Sequence, residues 1–283
     1  MSQVVPKPSL VAFAKFWANN VPALPVYYGC LGMAYDVFPP YFDVLTDDLL
    51  QPSFAATVGQ PGTPVANDVV VVARDDSFDQ SSYFNFLRSL PIDWSIRRTW
   101  FDLVPEKLYD SFRRFSLQER DCDLDSHFCM QFLSPDNLSS EPFQTLPKGY
   151  KLDCLLPTDV SNIYEIWKFK EPTTLQHLDF WIKFMPTVCI RNPEGRSVGH
   201  CIANTYGCLN ALWVHPDHRR NGWAAALLAE IVKKMTALNF DAPVYCQVEM
   251  DNDVSAKLMS RAGWKNANCD VYCGFFEPKT KTS

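Results

Sequence analysis

The stretch WVHPDHRRNGWAAALLAEIVKKM, from Trp213 to Met235, decides how this sequence is interpreted. It begins with apolar residues, turns at Pro216 and then brings basic side chains and a glycine to the start of an alanine-rich segment with helical spacing. The first backbone N–H groups of a helix have no partner within the helix, and the helix dipole adds partial positive charge there. A loop that curls at such a point is suited to bind phosphate.

The residue types in this loop fit a diphosphate. Gly222 lets a ligand approach the backbone closely, and Ala224 keeps the first helical turn narrow. Arg219 and Arg220 add charge and forked hydrogen-bond donors that match phosphate oxygens. The GxxxxGK[ST] and GxGxxG motifs of other phosphate-binding loops do not occur in the sequence. From the loop alone, an ordinary strand–loop–helix junction with surface arginines is an equally good interpretation.

The composition is typical of a globular protein. Of the 283 residues, 47% are hydrophobic and 20% are charged. The net charge of −6 argues against a dedicated nucleic-acid binder, and no apolar run is long enough to indicate a membrane span. The ten cysteines form no CxxC pair, and the five histidines lack zinc-finger spacing. We therefore expect no metal site, and no nucleic-acid or membrane partner.

Two domains of similar size are expected, because residues 133–152 collect Ser, Pro, Asn, Asp and Gly and are predicted to form a linker. The division falls near residue 140. The first half is predicted to be mixed α/β, with helices in LVAFAKFWANN, SSYFNFLRSL and EKLYDSFRRFSL and a buried strand at 67–76.

The second half has clearer signals. A strand leads to a helix capped by Thr158 or Asp159, two helices are separated around Pro172, and a hairpin turns at 192–195. The strand YGCLNALWV follows, and a helix is predicted at about 222–238. The remaining predicted elements are a strand, a helix and a final strand: APVYCQVEM, DVSAKLMSRAGW and CDVYCGFF.

Two motifs of this half resemble the GNAT superfamily of acyl-CoA-dependent N-acyltransferases. The family pattern V-x-P followed by Q/R-x-x-G-x-G/A is met by Val214-His215-Pro216 and by the residues from Arg219 to Ala224. A second family pattern, N-x-x-A/S-x-x-L-Y-x-x-x-G-F, is similar to the spacing of six residues downstream: Asn252, Ser255, Leu258, Met259, Gly263 and Trp264.

Within that superfamily, the stretches ALNFDAPVYCQVEMDNDVSAKLM and NDVVVVARDD resemble glycine N-acyltransferases and their relatives. The resemblance implies an α/β GNAT fold with two GNAT-like halves. Each half would have a mixed, mainly antiparallel sheet flanked by helices. Residues 1–140 would form a diverged amino-terminal domain, and residues 141–283 the catalytic domain, splayed where acyl-CoA binds.

The resemblance also implies where acyl-CoA lies, between the strands CLNALWV and PVYCQVEM. The backbone amide of Val214 would stabilise the oxyanion. Trp223 is also explained as a core residue, and Asn252 and Ser255 as the start of a helix. The implied cofactor-binding residues are Leu212, Trp213, Val214, Arg219, Arg220, Asn221, Gly222, Trp223, Ala224, Asn252 and Ser255.

The acid–base positions depart from the family pattern. Cys208 stands where many relatives have a glutamate base, and Met259 stands where many have a tyrosine. A thiol on a strand is more often a small buried hydrophobe than a base. Glu249 is the alternative base, with Asp251 and His215 as further candidates, although each is also explained as a loop, capping or packing residue. His200 is expected to be a core histidine with satisfied hydrogen bonds.

We therefore expect an N-acyltransferase that moves an acyl group from acyl-CoA to a small amine or amino acid such as glycine, by direct attack in a ternary complex. A catalytically degenerate acyl-CoA-binding protein is the alternative, and acylation of a protein amine is a third possibility. A cytoplasmic location is expected. The resemblance also allows a mitochondrial one, although the sequence shows no clear transit peptide.

Overall fold

The computed structural model describes residues 1–66, 68–74, 78–92, 99–119, 121–133, 146–171 and 173–277, with only the backbone described at 119, 121–126, 276 and 277. The chain forms two compact units. The first contains Met1–Met130, Val248–Asp251 and the chain from Asn266 onward, and the second contains Gln131–Gln247 and Asn252–Lys265. The predicted boundary near residue 140 lies outside the described residues. The units are not consecutive stretches, because the last strand joins the first unit.

The first unit is a sheet with four helices. The helices are α1 (Leu10–Ala14), α2 (Leu24–Ala34), α3 (Gln80–Ser89) and α4 (Glu106–Glu119). The strands are β1 (Gln3–Val4), β2 (Phe42–Thr46), β3 (Phe54–Gly59), β4 (Asp68–Ala73), β5 (Thr99–Pro105), β6 (Asp121–Leu133) and the last strand of the chain, β12 (Lys265–Glu277). Their order is β1-β2-β3-β4-β5-β12-β6. The pairing is antiparallel from β1 to β4 and between β5 and β12, and parallel between β4 and β5.

The core of this unit lies against β3, β4 and β5, where every residue of β4 is buried. Its β-branched residues suit a strand that is covered on both faces. Aromatic side chains from α3, α4 and the strands fill the space, among them Phe54, Phe86, Phe101 and Phe112. Helix α2 is buried on nearly its whole circumference, and a Cβ at Gly32 would lie 2.0 Å from the Phe38 ring. The glycine therefore permits close packing of this helix.

The second unit has the sheet order β7-β8-β9-β10-β11. Its strands are β7 (Lys151–Asp153), β8 (Thr187–Arg191), β9 (Ser197–Ala203), β10 (Cys208–Val214) and β11 (Val244–Glu249). Its helices are α5 (Val160–Ile166), α6 (Thr174–Phe184), α7 (Trp223–Thr236) and α8 (Asp253–Arg261). The pairs from β7 to β10 are antiparallel, and β10 and β11 are parallel. The predicted hairpin is present, with Gly195 at a φ of 79° in its turn.

A buried ion pair joins α5 to β8. Asp159 precedes α5, as predicted for a cap, but its carboxylate does not cap that helix. It binds Arg191 at 2.7 Å and accepts a hydrogen bond from the Leu156 amide at 2.8 Å. Asp159 and Arg191 are each 5% exposed. The hydrogen bond from Arg191 to Asp159 raises the pKa of the arginine, so the guanidinium stays charged in the buried pair.

The two halves of the chain repeat one order of elements, although the last strand of the second half, β12, belongs to the first unit. In both, a strand is followed by two helices, three antiparallel strands, a helix, a strand, a helix and a last strand. The helix that connects two parallel strands is α3 in the first unit and α7 in the second. The expectation of two similar halves is confirmed at the level of topology, and α3 is the counterpart of α7.

Candidate functional site

The loop between β10 and α7 curls before the helix begins. Arg220 has a φ of 66° and Gly222 a φ of 71°, so two residues of this short loop are left-handed. Gly222 is the N-cap of α7 and provides no side chain to bind the first amides. Within the described residues, the N–H groups from Arg220 to Ala224 have no backbone acceptor. The loop therefore presents several free amides together with the positive end of a 14-residue helix.

Basic side chains surround these amides. The Nε of Arg219 donates to the Val214 carbonyl at 3.0 Å, which holds the guanidinium beside the end of β10. Arg220 and Asn221 are exposed. His215 accepts a hydrogen bond from the Asp217 amide at 3.4 Å, as expected for the capping interpretation of this histidine. The loop thus combines free donors with positive charge, which is what an anion requires.

Trp223 supports the loop from inside the protein. Its side chain is 5% exposed. The ring stacks on His218 at a centroid distance of 4.5 Å and packs on Tyr150 at 5.2 Å. These contacts favour the core interpretation of the Trp223 ring and leave its backbone amide as the group that faces the loop.

Strands β10 and β11 pair only over part of their length. Cys208 pairs with Tyr245 and Leu209 with Cys246, and no further pair of the described residues continues this ladder. Beyond it, β10 contains a bulge between Asn210 and Trp213, where Ala211 has a φ of 53°. The residues from Asn210 to Trp213 are partly or fully exposed although the strand lies inside the sheet. The two strands therefore separate after the first two pairs.

The alternation of an antiparallel ladder shows where the backbone of β10 points after the bulge. The amide of His215 donates to the Val198 carbonyl on β9 at 2.9 Å. Since neighbouring residues of a strand direct their N–H and C=O groups to opposite sides, those of Val214 point away from β9. The Leu212 carbonyl points the same way, because it lies opposite the Trp213 amide across one peptide bond, whereas the Leu212 amide lies in the bulge. The Val214 backbone and the Leu212 carbonyl thus face the side on which β11 has separated.

The second predicted motif forms a helix start. The Asn252 carboxamide oxygen accepts a hydrogen bond from the Ser255 amide at 3.0 Å and so caps α8. Met259 is 4% exposed. The capping interpretation explains Asn252 and Ser255 without a ligand.

The candidate bases differ in accessibility. Cys208 is 1% exposed and lies in the paired part of β10, as expected for a small buried hydrophobe. Glu249 is half-buried at the end of β11, and Asp251 is exposed beyond it. No group of three or more His, Cys, Asp or Glu side chains in the described ranges could hold a metal ion. None of the described helices is long and apolar enough to span a membrane.

Residues 158–264 match the model of the acetyltransferase (GNAT) family. The matched segment is termed the GNAT domain. It contains the loop, the bulged strand β10, the separated strand β11 and α8.

Similar solved structures share this fold across both units. A Drosophila protein matches with a TM-score of 0.82 and 12% identity, over 99% of each chain. A GCN5-related N-acetyltransferase from Sphaerobacter thermophilus matches with a TM-score of 0.54 and 14% identity, over 99% of this chain and 96% of the other. A tandem GNAT protein from the clavulanic acid biosynthesis pathway matches with a TM-score of 0.54 and 12% identity, over 99% of each chain. The predicted mixed α/β GNAT fold is confirmed.

The helix start that corresponds to α7 in the first unit carries its own cap. Helix α3 is capped by Asp79, whose carboxylate accepts a hydrogen bond from the Ser82 amide at 2.7 Å. The side chain and the backbone amide of Ser82 lower the pKa of Asp79, so this helix start carries a negative charge. An anion would be repelled at α3, whereas the glycine at α7 leaves the equivalent position open.

Two polar residues of the GNAT domain were not singled out as site residues by the sequence. Asn210 is exposed in the middle of β10. His200 on β9 is 3% exposed, and burial lowers its pKa to about 4. It is a core residue, as expected, and its ring stacks on Trp213 at 5.6 Å between centroids, while no hydrogen bond joins the imidazole to another described residue. In the sequence, the clue to both Asn210 and His200 is that each is a polar residue within an apolar strand.

Proposed function

We propose that the GNAT domain transfers an acyl group from acyl-CoA to the nitrogen of a small amine or amino acid, with glycine as the first acceptor to test. One observation carries this proposal. The uncapped start of α7, with left-handed residues at Arg220 and Gly222, lies directly after a strand whose backbone faces a separated neighbour. An anion-binding loop beside a free strand edge suits a ligand with a diphosphate and an amide-containing arm.

In the proposed complex the diphosphate of acyl-CoA binds the amides from Arg220 to Ala224. Charge from Arg219 and Arg220 adds to the partial charge of the helix start. The pantetheine arm contains amide groups, and it would pair with the backbone of Leu212 and with the remaining lone pair of the Val214 carbonyl, as an additional strand does. This arrangement brings the thioester towards the bulge in β10.

The chemistry is direct attack. The neutral amine forms a C–N bond to the thioester carbonyl carbon, the C–S bond breaks, and coenzyme A leaves as a thiolate. The Val214 amide would donate to the developing oxyanion. Much of the acceleration would come from holding the two reactants together. Buried Met259 has no proton to donate to the thiolate, Cys208 lies in the paired part of β10, and Glu249, the alternative base expected from the sequence, is half-buried.

A thiol-release assay tests the proposal. The full-length protein is incubated with acetyl-CoA, benzoyl-CoA or a longer acyl-CoA and with a panel of amines that includes glycine, and free thiol is followed over time. Amine-dependent release with formation of the N-acyl product supports the proposal, and reactions without amine measure simple hydrolysis. Tight binding of coenzyme A with no amine-dependent release for any pair would instead identify an acyl-CoA-binding protein without transferase activity.

A further inference from the structure

The register of β9 and β10 brings two polar side chains to one face of the sheet. Trp213 is the direct partner of His200, and Asn210 is the direct partner of Ile202. Partners across an antiparallel pair project to the same face, as do residues two apart on one strand. His200, Asn210 and Trp213 therefore share a face. The bulge is the reason, because it adds one residue to β10 between Asn210 and Trp213.

This face is the one that α7 does not cover. The neighbouring residue Gly199 projects to the opposite face, where a Cβ would come within 3.3 Å of the Leu227 side chain of α7. The helix and its anion-binding loop thus use one face of the sheet. On the other face His200 is 3% exposed beside buried Cys189 of β8, and the face opens towards Asn210, which is exposed beside the separated strand.

Both polar side chains on this face have unused hydrogen-bonding groups. A neutral imidazole has one donor and one acceptor, and neither is used by His200 within the described residues. Asn210 accepts from the Ala211 amide at 2.8 Å through its carbonyl oxygen, while its NH2 group makes no hydrogen bond to any described residue. Asn210 is exposed and can bind a ligand directly, whereas His200 is 3% exposed, so a ligand that bonds its imidazole would satisfy a group that water reaches poorly.

We infer that His200 and Asn210 form the acceptor side of the site, where the His200 imidazole accepts a hydrogen bond from the amine that attacks the thioester. This inference rests on the proposed acyl transfer and names residues for its second substrate. As the C–N bond forms, the amine nitrogen becomes positively charged and must lose a proton. The imidazole takes that proton, and the departing thiolate or water receives it afterwards. Asn210 orients the acceptor through its NH2 group.

Substitutions at His200 test the inference against a matched control. His200→Phe keeps a ring on Trp213 and removes both nitrogens, whereas His200→Gln keeps a hydrogen-bonding group. His177→Phe is the control, since His177 also stacks on a tryptophan, Trp181, at 5.7 Å and 23°. The measurements are kcat/KM for the acceptor at saturating acyl-CoA, the Kd for coenzyme A, and the melting temperature.

We expect His200→Phe to lower kcat/KM for the acceptor at least tenfold, with His200→Gln between it and the wild type. The Kd for coenzyme A should stay within twofold, and His177→Phe should behave as the wild type. If His200→Phe does not fold, His200→Gln and Asn210→Ala carry the test, each with a severalfold loss. If the wild type is active and the His200 and Asn210 variants are equally active, the inference is rejected while the proposed function stands. The same conclusion follows if His177→Phe loses as much kcat/KM as His200→Phe. A wild type that binds coenzyme A but acylates no amine would reject the proposed function and this inference together.

Discussion

Replacing Gly222 with aspartate should weaken coenzyme A binding about 100-fold without unfolding the protein. The new carboxylate would stand at the N-cap of α7, next to the amides proposed to bind the diphosphate. Two like charges about 5 Å apart near a protein surface repel each other by about 3 kcal/mol, and each 1.4 kcal/mol is a factor of ten in affinity. Stability should change little, because an aspartate cap contributes about 1 kcal/mol and the left-handed conformation costs a side chain about as much. An aspartate caps the corresponding helix of the first unit, but Asp79 does so from an extended backbone with a φ of −74°, whereas Gly222 has a φ of 71°.

Gly222→Asn is the matched control. Asparagine tolerates the left-handed conformation, and it offers the same cap without the charge. The asparagine side chain competes with the ligand for one amide through a neutral hydrogen bond, worth about 1 kcal/mol. The Kd of this variant for coenzyme A should therefore rise only severalfold. Isothermal titration with coenzyme A measures both variants, and thermal melting shows that both are folded. Equal affinity of the aspartate variant and the wild type would show that the diphosphate does not bind at this helix.

Three further results are expected. Calorimetric titration should give one coenzyme A per chain, because Asp79 closes the α3 counterpart; a stoichiometry of two would contradict this. Lowering the pH from 6.5 to 4 should reduce the unfolding free energy of the wild type by about 3 kcal/mol more than that of His200→Phe. Below pH 6.5 the unfolded histidine binds a proton, whereas the folded one, with a pKa of about 4, does not, so the protein becomes less stable as the pH is lowered. Parallel urea titrations of the two proteins that show no difference would refute the assignment. Arg191→Met should destabilise the fold by about 3–5 kcal/mol in chemical denaturation because Asp159 loses its buried partner, and adding Asp159→Leu should recover part of the loss.

The elements of the second unit could be predicted because their sequences follow simple patterns. The α7 segment has an apolar stripe and a glycine at its start, and the helix runs over Trp223–Thr236 where 222–238 was predicted. The first unit is harder to predict. Helix α2 carries two glycines and a proline and is buried on nearly all sides, so it has no polar face to reveal a helical period. The helix expected over LVAFAKFWANN ends as an α-helix at Ala14.

The site could be predicted only where a few adjacent residues determine the chemistry. The glycine and the arginines of the loop indicate anion binding because local backbone geometry and charge are sufficient for it. The sheet face that carries His200 and Asn210 depends instead on strand register. A bulge at Ala211 decides that Asn210 and Trp213 share a face with His200, and its left-handed alanine has no signature in the sequence. The burial of Cys208 likewise depends on its pairing with Tyr245.

The placement of β12 limits how this protein can be divided. The strand leaves the GNAT domain at Lys265 and pairs with β5 of the first unit, matching Tyr272 with Val104. A fragment that stops at the linker would expose the edges of β5 and β6, and one that starts there would carry a long strand with no sheet to join. Domain swaps, split reporters and minimal catalytic fragments of this chain therefore have to supply that strand in trans or keep the polypeptide whole.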